Sequence, residues 1–345
     1  MNDNAKDKPD KPEIILSEDK LLPDLSAPHI KHGETTALIM SRVLRALLPA
    51  LIWAVFIFGG RVITLTVISV ISCVTFEFAA QKMMRRPVRI NDLSAVVTGV
   101  LLALTLPVNA PLWAPAAGGA FAVVIVKQLF GGIGKNIVNP AIAARIFLSL
   151  SFNFMSVFQD IGEAKLPVFE INPDASAGAT PLAYLKEGMP PGSLGILDMF
   201  LGQHAGSIGE VSALLLLAGG IYLIIRKVIT WHIPLSFIGV VALISFLFPR
   251  SADHIEFALS QVLTGGLILG AVFMASDYST SPVNGTGKLI FGAGCGLITI
   301  FIRYFGVYPE GVSFAIMIMN FFVWYIDKIT KPVRFGGGKK NERRN

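Results

Sequence analysis

Val62-Ile63-Thr64-Leu65-Thr66-Val67-Ile68-Ser69-Val70-Ile71-Ser72-Cys73-Val74-Thr75-Phe76-Glu77-Phe78-Ala79-Ala80 is a run with a single charge, Glu77, close to its end. As a helix it matches the roughly twenty apolar residues that cross the hydrocarbon core of a bilayer. Working outward, the chain offers further runs of the same kind, ten in all: 43–60, 62–80, 93–108, 111–130, 139–157, 211–226, 232–249, 259–276, 289–305 and 311–327. Several contain Gly or Pro, such as Pro115, Gly118, Gly119, Gly265 and Gly266. Membranes tolerate these because neighbouring helices satisfy the backbone and small residues let helices approach. Pro107 and Pro111 make the turn between the short third and fourth runs. Composition agrees, with 53% hydrophobic and 15% charged residues and a mean hydropathy of +0.64, where a soluble domain carries about 25% charged residues. The expected fold class is all-α, a polytopic integral membrane protein of about ten transmembrane helices.

The net charge of +6 would suggest nucleic acid in a soluble protein. Here the basic residues form short clusters between apolar runs, with no continuous face to neutralise phosphates, so nucleic-acid binding is excluded and the clusters read as orientation signals. No short apolar run with a cleavage site opens the chain; the first forty residues are polar, as at Lys6, Asp7, Lys8, Asp10 and Lys11. Arg42 and Arg45, then Lys82, Arg85, Arg86 and Arg89, then Lys135, then Arg226 and Lys227, then Lys288, and finally Lys328, Lys331, Arg334, Lys339 and Lys340 fall in alternate connections. All of these face the cytoplasm if ten helices are right and both termini are inside. The long central loop carries Asp160, Glu163, Glu170, Asp174, Glu187, Asp198 and Glu210 against Lys165 and Lys186, so it is expected outside. The organisation is a cytoplasmic tail 1–42, a transmembrane half 43–157, an extracytoplasmic loop 158–210, a second transmembrane half 211–329 and a basic cytoplasmic tail 330–345.

The halves look related. Val97-Thr98-Gly99-Val100-Leu101-Leu102 resembles Leu263-Thr264-Gly265-Gly266-Leu267-Ile268, and Lys127-Gln128-Leu129-Phe130-Gly131 resembles Arg303-Tyr304-Phe305-Gly306. A shift of five helices reverses direction in the membrane, so the expectation is an inverted five-helix repeat of the kind transporters use.

Gly131-Gly132-Ile133-Gly134-Lys135-Asn136 and Gly285-Thr286-Gly287-Lys288 lack the Ser or Thr after Lys and the preceding strand that a phosphate loop needs. They read as tight turns. Cys73 and Cys295 both lie in apolar runs and supply neither a disulfide framework nor four cluster ligands. The five histidines are dispersed, and no metal site is expected. Glu77, Lys127, Arg145, Asp277 and Asp327 lie within a turn or two of the expected cytoplasmic face, where long side chains snorkel to water. The functional reading of the same charges is an ion path, with Glu77 and Asp277 as its candidates, or flavin contacts at the inner side.

The outer loop holds Asp174-Ala175-Ser176-Ala177-Gly178-Ala179-Thr180-Pro181-Leu182. Its plain reading is a Gly/Ser/Ala connector. Three details point elsewhere. The loop is long, and long loops are often functional; Pro181 stiffens the chain after Thr180; and the neighbours of Thr180 are too small to shield its hydroxyl.

With these residues in view, the chain resembles the family that joins RnfD, from the Rnf electron-transport complex, to its homologue NqrB, from the sodium-pumping NADH:quinone reductase. The resemblance covers nearly the whole chain. It rests on Ser26-Ala27-Pro28-His29, on Lys127 through Asn136 with Asn139-Pro140-Ala141, on Gly178-Ala179-Thr180-Pro181-Leu182, and on Met274-Ala275-Ser276-Asp277-Tyr278-Ser279-Thr280-Ser281-Pro282 with Gly287-Lys288. The resemblance implies FMN joined to Thr180 through a phosphoester, attached outside the membrane by a flavin transferase that uses FAD, with Asp174, Ser176, Gly178 and Ala179 as motif context. Where the family usually has Ser or Thr three residues before the attachment Thr, this chain has Ala177; Asp174, six before, matches. A second, non-covalent flavin, riboflavin, is suggested by the homologous protein without residues to place it.

The implied function is that of a membrane component of an ion-translocating ferredoxin:NAD+ oxidoreductase. Such a component works with the other Rnf subunits in a bacterial or archaeal cytoplasmic membrane and couples electron relay to Na+ or H+ movement. The flavin would be a relay, with no independent substrate turnover. Two other readings stand beside it: a flavin-free secondary transporter or channel with an inverted repeat, and the quinone-reductase homologue NqrB.

Overall fold

The computed structural model describes residues 35–158, 180–189, 195–210, 212–308 and 310–332, and its helices all fall in the unit Thr36–Asn345. Among the described residues every regular element is helical. The first half carries α1 (Thr36–Phe58), α2 (Arg61–Met83), α3 (Ser94–Leu104), α4 (Trp113–Ala120), which runs on as a π-helix Phe121–Gln128, and α5 (Pro140–Ser151). Two short helices follow, α6 (Pro181–Lys186) and α7 (Ile196–Leu201). The second half carries α8 (Ala213–Ile225), α9 (His232–Leu247), α10 (His254–Leu263), α11 (Leu267–Leu269), which runs on as a π-helix Gly270–Met274, then α12 (Gly285–Phe305) and α13 (Val312–Ile329).

Helix occupies each of the ten apolar runs, but the lengths differ from expectation. Helices α1, α2, α12 and α13 are long and apolar enough to cross a membrane, and α10 with the α11 segment makes a fifth if the bent pair is one span. The protein is a membrane protein on that composition. Helices α3 and α5 have only 11 and 12 residues, which reach roughly 16–18 Å, short of a core of about 30 Å. Helix α3 ends at Leu104, shortly before Pro107, whose ring disfavours helical backbone at the residue preceding it. Helix α5 is set at its start by Asn139, whose side chain caps Ala141 and Ile142, with Pro140 at the first helical position.

The run 259–276 is not one helix. Helix α10 and the segment Leu267–Met274 are bent by 58° at Gly265 and Gly266, both left-handed with φ of +71° and +64°. In the first half a left-handed residue, Leu93 with φ +61°, immediately precedes α3. Thr98 and Gly99 therefore sit inside a helix while Thr264 and Gly265 sit in a break. The local structure does not share the register that the two Thr-Gly pairs suggested.

Close helix contact comes from small residues. A methyl group on Gly99 would meet the Val70 Cα at 2.7 Å, and one on Gly119 the Ser72 hydroxyl at 2.7 Å. Apolar burial drives little association between helices in lipid, so backbone approach of this kind supplies the packing. Arg61, buried at the start of α2, donates to the carbonyls of Val108 (2.9 Å) and Ala110 (2.8 Å). It thereby satisfies the irregular backbone between α3 and α4.

The central loop is not a detached connector. Ile208 N donates to Leu106 O at 3.0 Å, Trp53 Nε1 donates to Leu201 O at 3.0 Å, and Leu182, Leu185 and Met199 are buried.

Candidate functional site

Two cavities matter, and α5 runs from one to the other. Asn139 and Pro140, at its start, line the first, while Arg145 and Ser149 line the second.

The second cavity holds Thr180. Pro181 starts α6, and the Thr180 carbonyl accepts from Ala183 N at 2.8 Å while its side chain caps nothing. Helix α6 is clamped onto the end of α12. Lys186 Nζ donates to the carbonyls of Gly306 (2.7 Å) and Val307 (2.8 Å). Arg250 reaches Lys186 O (2.9 Å) and Tyr304 O (2.8 Å). This seating leaves Thr180 only 6% exposed. The sequence predicts an open hydroxyl; instead the residue is buried and lines a cavity of about 160 Å³ with Arg145, Ser149, Tyr308, Glu310 and Phe314. Arg145 Nη2 is ion-paired with Glu310 Oε2. Glu310 Oε1 is buried without a hydrogen-bond partner among the described residues. Tyr308 and Phe314 stack at 5.6 Å with 26° between planes. Asp174, Ser176, Gly178 and Ala179 lie outside the described residues.

Behind Thr180 lies the break between α10 and α11. A methyl group on Gly265 would sit 2.0 Å from Leu182 Cδ1 and 2.7 Å from Arg303 Nη2, and one on Gly266 3.5 Å from Glu210 Oε1 and 3.9 Å from Arg145 Nη1. Arg303, buried on α12, donates to Gln261 Oε1 at 2.9 Å and to Thr264 O at 3.1 Å.

The first cavity, of about 80 Å³, is lined by Ser94, Lys127, Asn136, Asn139, Asp277 and Tyr278 among others. Glu77 on α2 is 1% exposed and pairs with Lys127 Nζ at 2.7 Å. Its other oxygen accepts from Gln128 (2.9 Å) and Gln81 (3.2 Å). Lys127 also donates to Ser94 Oγ at 2.6 Å, at the start of α3. Asp277 is half-buried and accepts from Ser279 Oγ at 2.8 Å and Thr280 Oγ1 at 3.3 Å. Burial pushes its carboxyl above the ordinary carboxylate value, opposed by those hydrogen bonds and by the Lys127 charge. Asn139 Nδ2 donates to Met274 O at 3.2 Å, which ties the start of α5 to the end of the broken helix. Asp327 accepts from Val283 N at 3.0 Å.

The snorkelling expectation is therefore corrected for three of five charges. Glu77 and Lys127 neutralise each other inside the protein, and Arg145 belongs to the Thr180 cavity. Glu310 escaped the sequence reading; its one signal was an acid in a short basic-poor connection.

The sequence model of the NQR2, RnfD, RnfE family matches residues 25–336. Among curated proteins, the chain is 44% identical over 313 residues to the D subunit of the Na(+)-translocating ferredoxin:NAD(+) oxidoreductase complex of Acetobacterium woodii, covering 90% of this chain and 94% of that protein. It is 38% identical over 321 residues to the D subunit of the proton-translocating ferredoxin:NAD(+) oxidoreductase complex of Clostridium ljungdahlii, covering 90% and 95%. It is 36% identical over 323 residues to the D subunit of the ion-translocating oxidoreductase complex of Stutzerimonas stutzeri, covering 86% and 91%.

Proposed function

The chain belongs to the NQR2, RnfD, RnfE family, and we propose that it is the RnfD component of an ion-translocating ferredoxin:NAD+ oxidoreductase complex, with FMN esterified to Thr180. The single observation that carries the flavin assignment is that Thr180 and Arg145 line one cavity. When bound, the flavin supplies one-electron chemistry to a relay through the complex. This chain's residues hold and orient it. A cavity of about 160 Å³ is smaller than the roughly 300–1,000 Å³ of a site that swallows a whole ligand. It would suit the phosphate end, which Thr180 and Arg145 would hold.

Attachment has a simple balance. Thr180 Oγ bonds to the FMN-side phosphorus of FAD, the P–O–P bridge breaks, AMP leaves and the hydroxyl proton is released. Thr180, buried in the folded protein, would meet the transferase before α6 is clamped onto α12.

Around this centre the reading places ten spans in an inverted five-helix repeat in a bacterial or archaeal cytoplasmic membrane. Tails 1–42 and 330–345 lie inside, 158–210 lies outside, and the halves are 43–157 and 211–329. Support comes from the left-handed residues Leu93 and Gly266 and from basic residues late in α4's continuation and in α12, Lys127 and Arg303, that each donate to a residue close to it in their own half. The other Rnf subunits and the flavin transferase are the partners, and Na+ or H+ is the translocated ion. Asp277, at its own cavity, is the carboxylate of the ion path; Glu77 sets the position of Lys127 beside it. A non-covalent riboflavin would be an additional relay.

The test is direct. The protein, from cells that possess the transferase, is denatured on a gel and viewed under ultraviolet light. Its band should fluoresce, Thr180→Ala should be dark at equal protein level, and mass spectrometry should find FMN on the Thr180 peptide. A dark wild-type band would favour the flavin-free transporter.

A further inference from the structure

We propose that Arg145 and Glu310 are the positioning residues for the flavin tether: Arg145 as counter-charge to the phosphodiester on Thr180, and Glu310 as hydrogen-bond acceptor for the ribityl hydroxyls. The inference rests on the reading that Thr180 carries FMN.

Four observations carry it. The first is that Thr180, Arg145 and Glu310 line one cavity. The second is that the side chains of Arg145 and Glu310 are only 10% and 16% exposed, so an ester formed there enters a largely dry environment. A phosphodiester keeps one negative charge, and an anion taken out of water needs a charged partner. Arg suits that role because its planar fork carries five N–H donors. The ion pair with Glu310 is made through Nη2.

The third observation is Glu310 Oε1, buried with no hydrogen-bond partner among the described residues. A purely structural ion pair is built saturated, as Glu77 is, because an orphaned buried acceptor costs free energy. An acceptor buried and unbonded among the described residues suits a ligand that brings O–H donors once the carboxylate turns toward the cavity, and a ribityl chain brings several. The fourth is the stacked Tyr308–Phe314 pair on the same cavity wall, an apolar surface past the polar tether.

The test uses the assembled complex from cells that make the transferase. A phosphodiesterase is added to the native complex and flavin release is followed by fluorescence, with the denatured complex as the reference for an unprotected ester. Wild type should release far more slowly than the denatured complex. The double variant Arg145→Gln/Glu310→Gln removes both side-chain charges together, so neither is left unpaired by loss of the other, while the phosphodiester keeps only neutral donors. That variant should melt near the wild-type temperature yet release flavin about tenfold faster, the factor expected for one lost charge-assisted hydrogen bond. Arg145→Lys, which keeps the charge but loses the fork, should fall between the two. Glu310→Gln should retain most of the protection while lowering the fluorescence anisotropy of the bound flavin. Wild-type release as fast as from the denatured complex, or a double variant indistinguishable from wild type, overturns the proposal. Absence of FMN from the Thr180 peptide overturns the underlying reading instead.

Discussion

The two cavities hold buried charge in opposite ways. At the first, whose wall includes Lys127, Glu77 and Lys127 are each 2% exposed at the side chain, and both carboxylate oxygens are bonded, one by Lys127 and the other by two glutamines. In the second, Arg145 and Glu310 keep more exposure and leave one carboxylate oxygen open among the described residues. The first pair is closed. It fixes α4's continuation to α2 and, through Ser94 Oγ, to the start of α3. The second pair is unfinished and stands where the candidate attachment residue stands. The difference separates a saturated fastening from a candidate site.

Removing one member of each pair distinguishes the two. Lys127→Met leaves Glu77 buried with two amides but no charge partner, and removing one member of a buried pair costs about 3–5 kcal/mol. The thermal midpoint of the purified complex should fall steeply, and Glu77→Leu added to it should recover most of the loss. Arg145→Gln should cost less, about 1–3 kcal/mol, because its cavity can take water onto Glu310. If the two single variants melt together, the distinction between a closed and an open pair is wrong.

How far sequence alone could reach depends on what kind of fact was sought. Each apolar run became helix because run length and composition are local properties, and α2 was found to within three residues of 62–80. The break at Gly265 and Gly266 was not found, because Gly inside an apolar run is equally compatible with an intact helix. What opens it is tertiary, namely Leu182 and Arg303 packed against the bend. Thr180 was singled out from its loop, yet read as open. Its burial depends on Lys186 and Arg250 gripping carbonyls more than fifty residues away, and nothing in the loop's composition encodes that grip. Arg145 was read as a snorkelling charge, whereas it is buried and paired with Glu310 from a distant connection, a tertiary contact that the apolar run does not encode.

The bend offers a third test, of smaller size. Gly265→Ala puts a methyl group where Leu182 and Arg303 already stand, at φ +71°. The strain of a left-handed non-glycine residue is of order 1–3 kcal/mol. Because Leu182 lies two residues after Thr180, the variant should lift α6 and raise the exposure of Thr180, which a phosphodiesterase or a protease acting after Lys186 would report. Gly239→Ala, where an added methyl group meets nothing, should change neither stability nor cleavage.

The smallest effect belongs to Asp277 in the first cavity. Burial raises its carboxyl above the ordinary value despite the bonds from Ser279 and Thr280, so the folded protein holds this proton to higher pH than the unfolded chain does. Over that interval the folded state binds more protons, and stability therefore falls as pH rises from the ordinary carboxylate value through the raised one. Asp277→Asn cannot lose a proton there. Its thermal midpoint, compared with wild type across acidic to neutral pH, should be flatter and should exceed wild type most on the neutral side. A bound cation would reverse the comparison at neutral pH, because it favours the ionised carboxylate and stabilises only the wild type. Repeating the titration with sodium and with a bulky organic cation therefore tells a simple buried acid from one that holds an ion. A wild-type midpoint that rises with pH in both salts would mean that Asp277 is held ionised by its neighbours, contrary to the burial that the first cavity gives it.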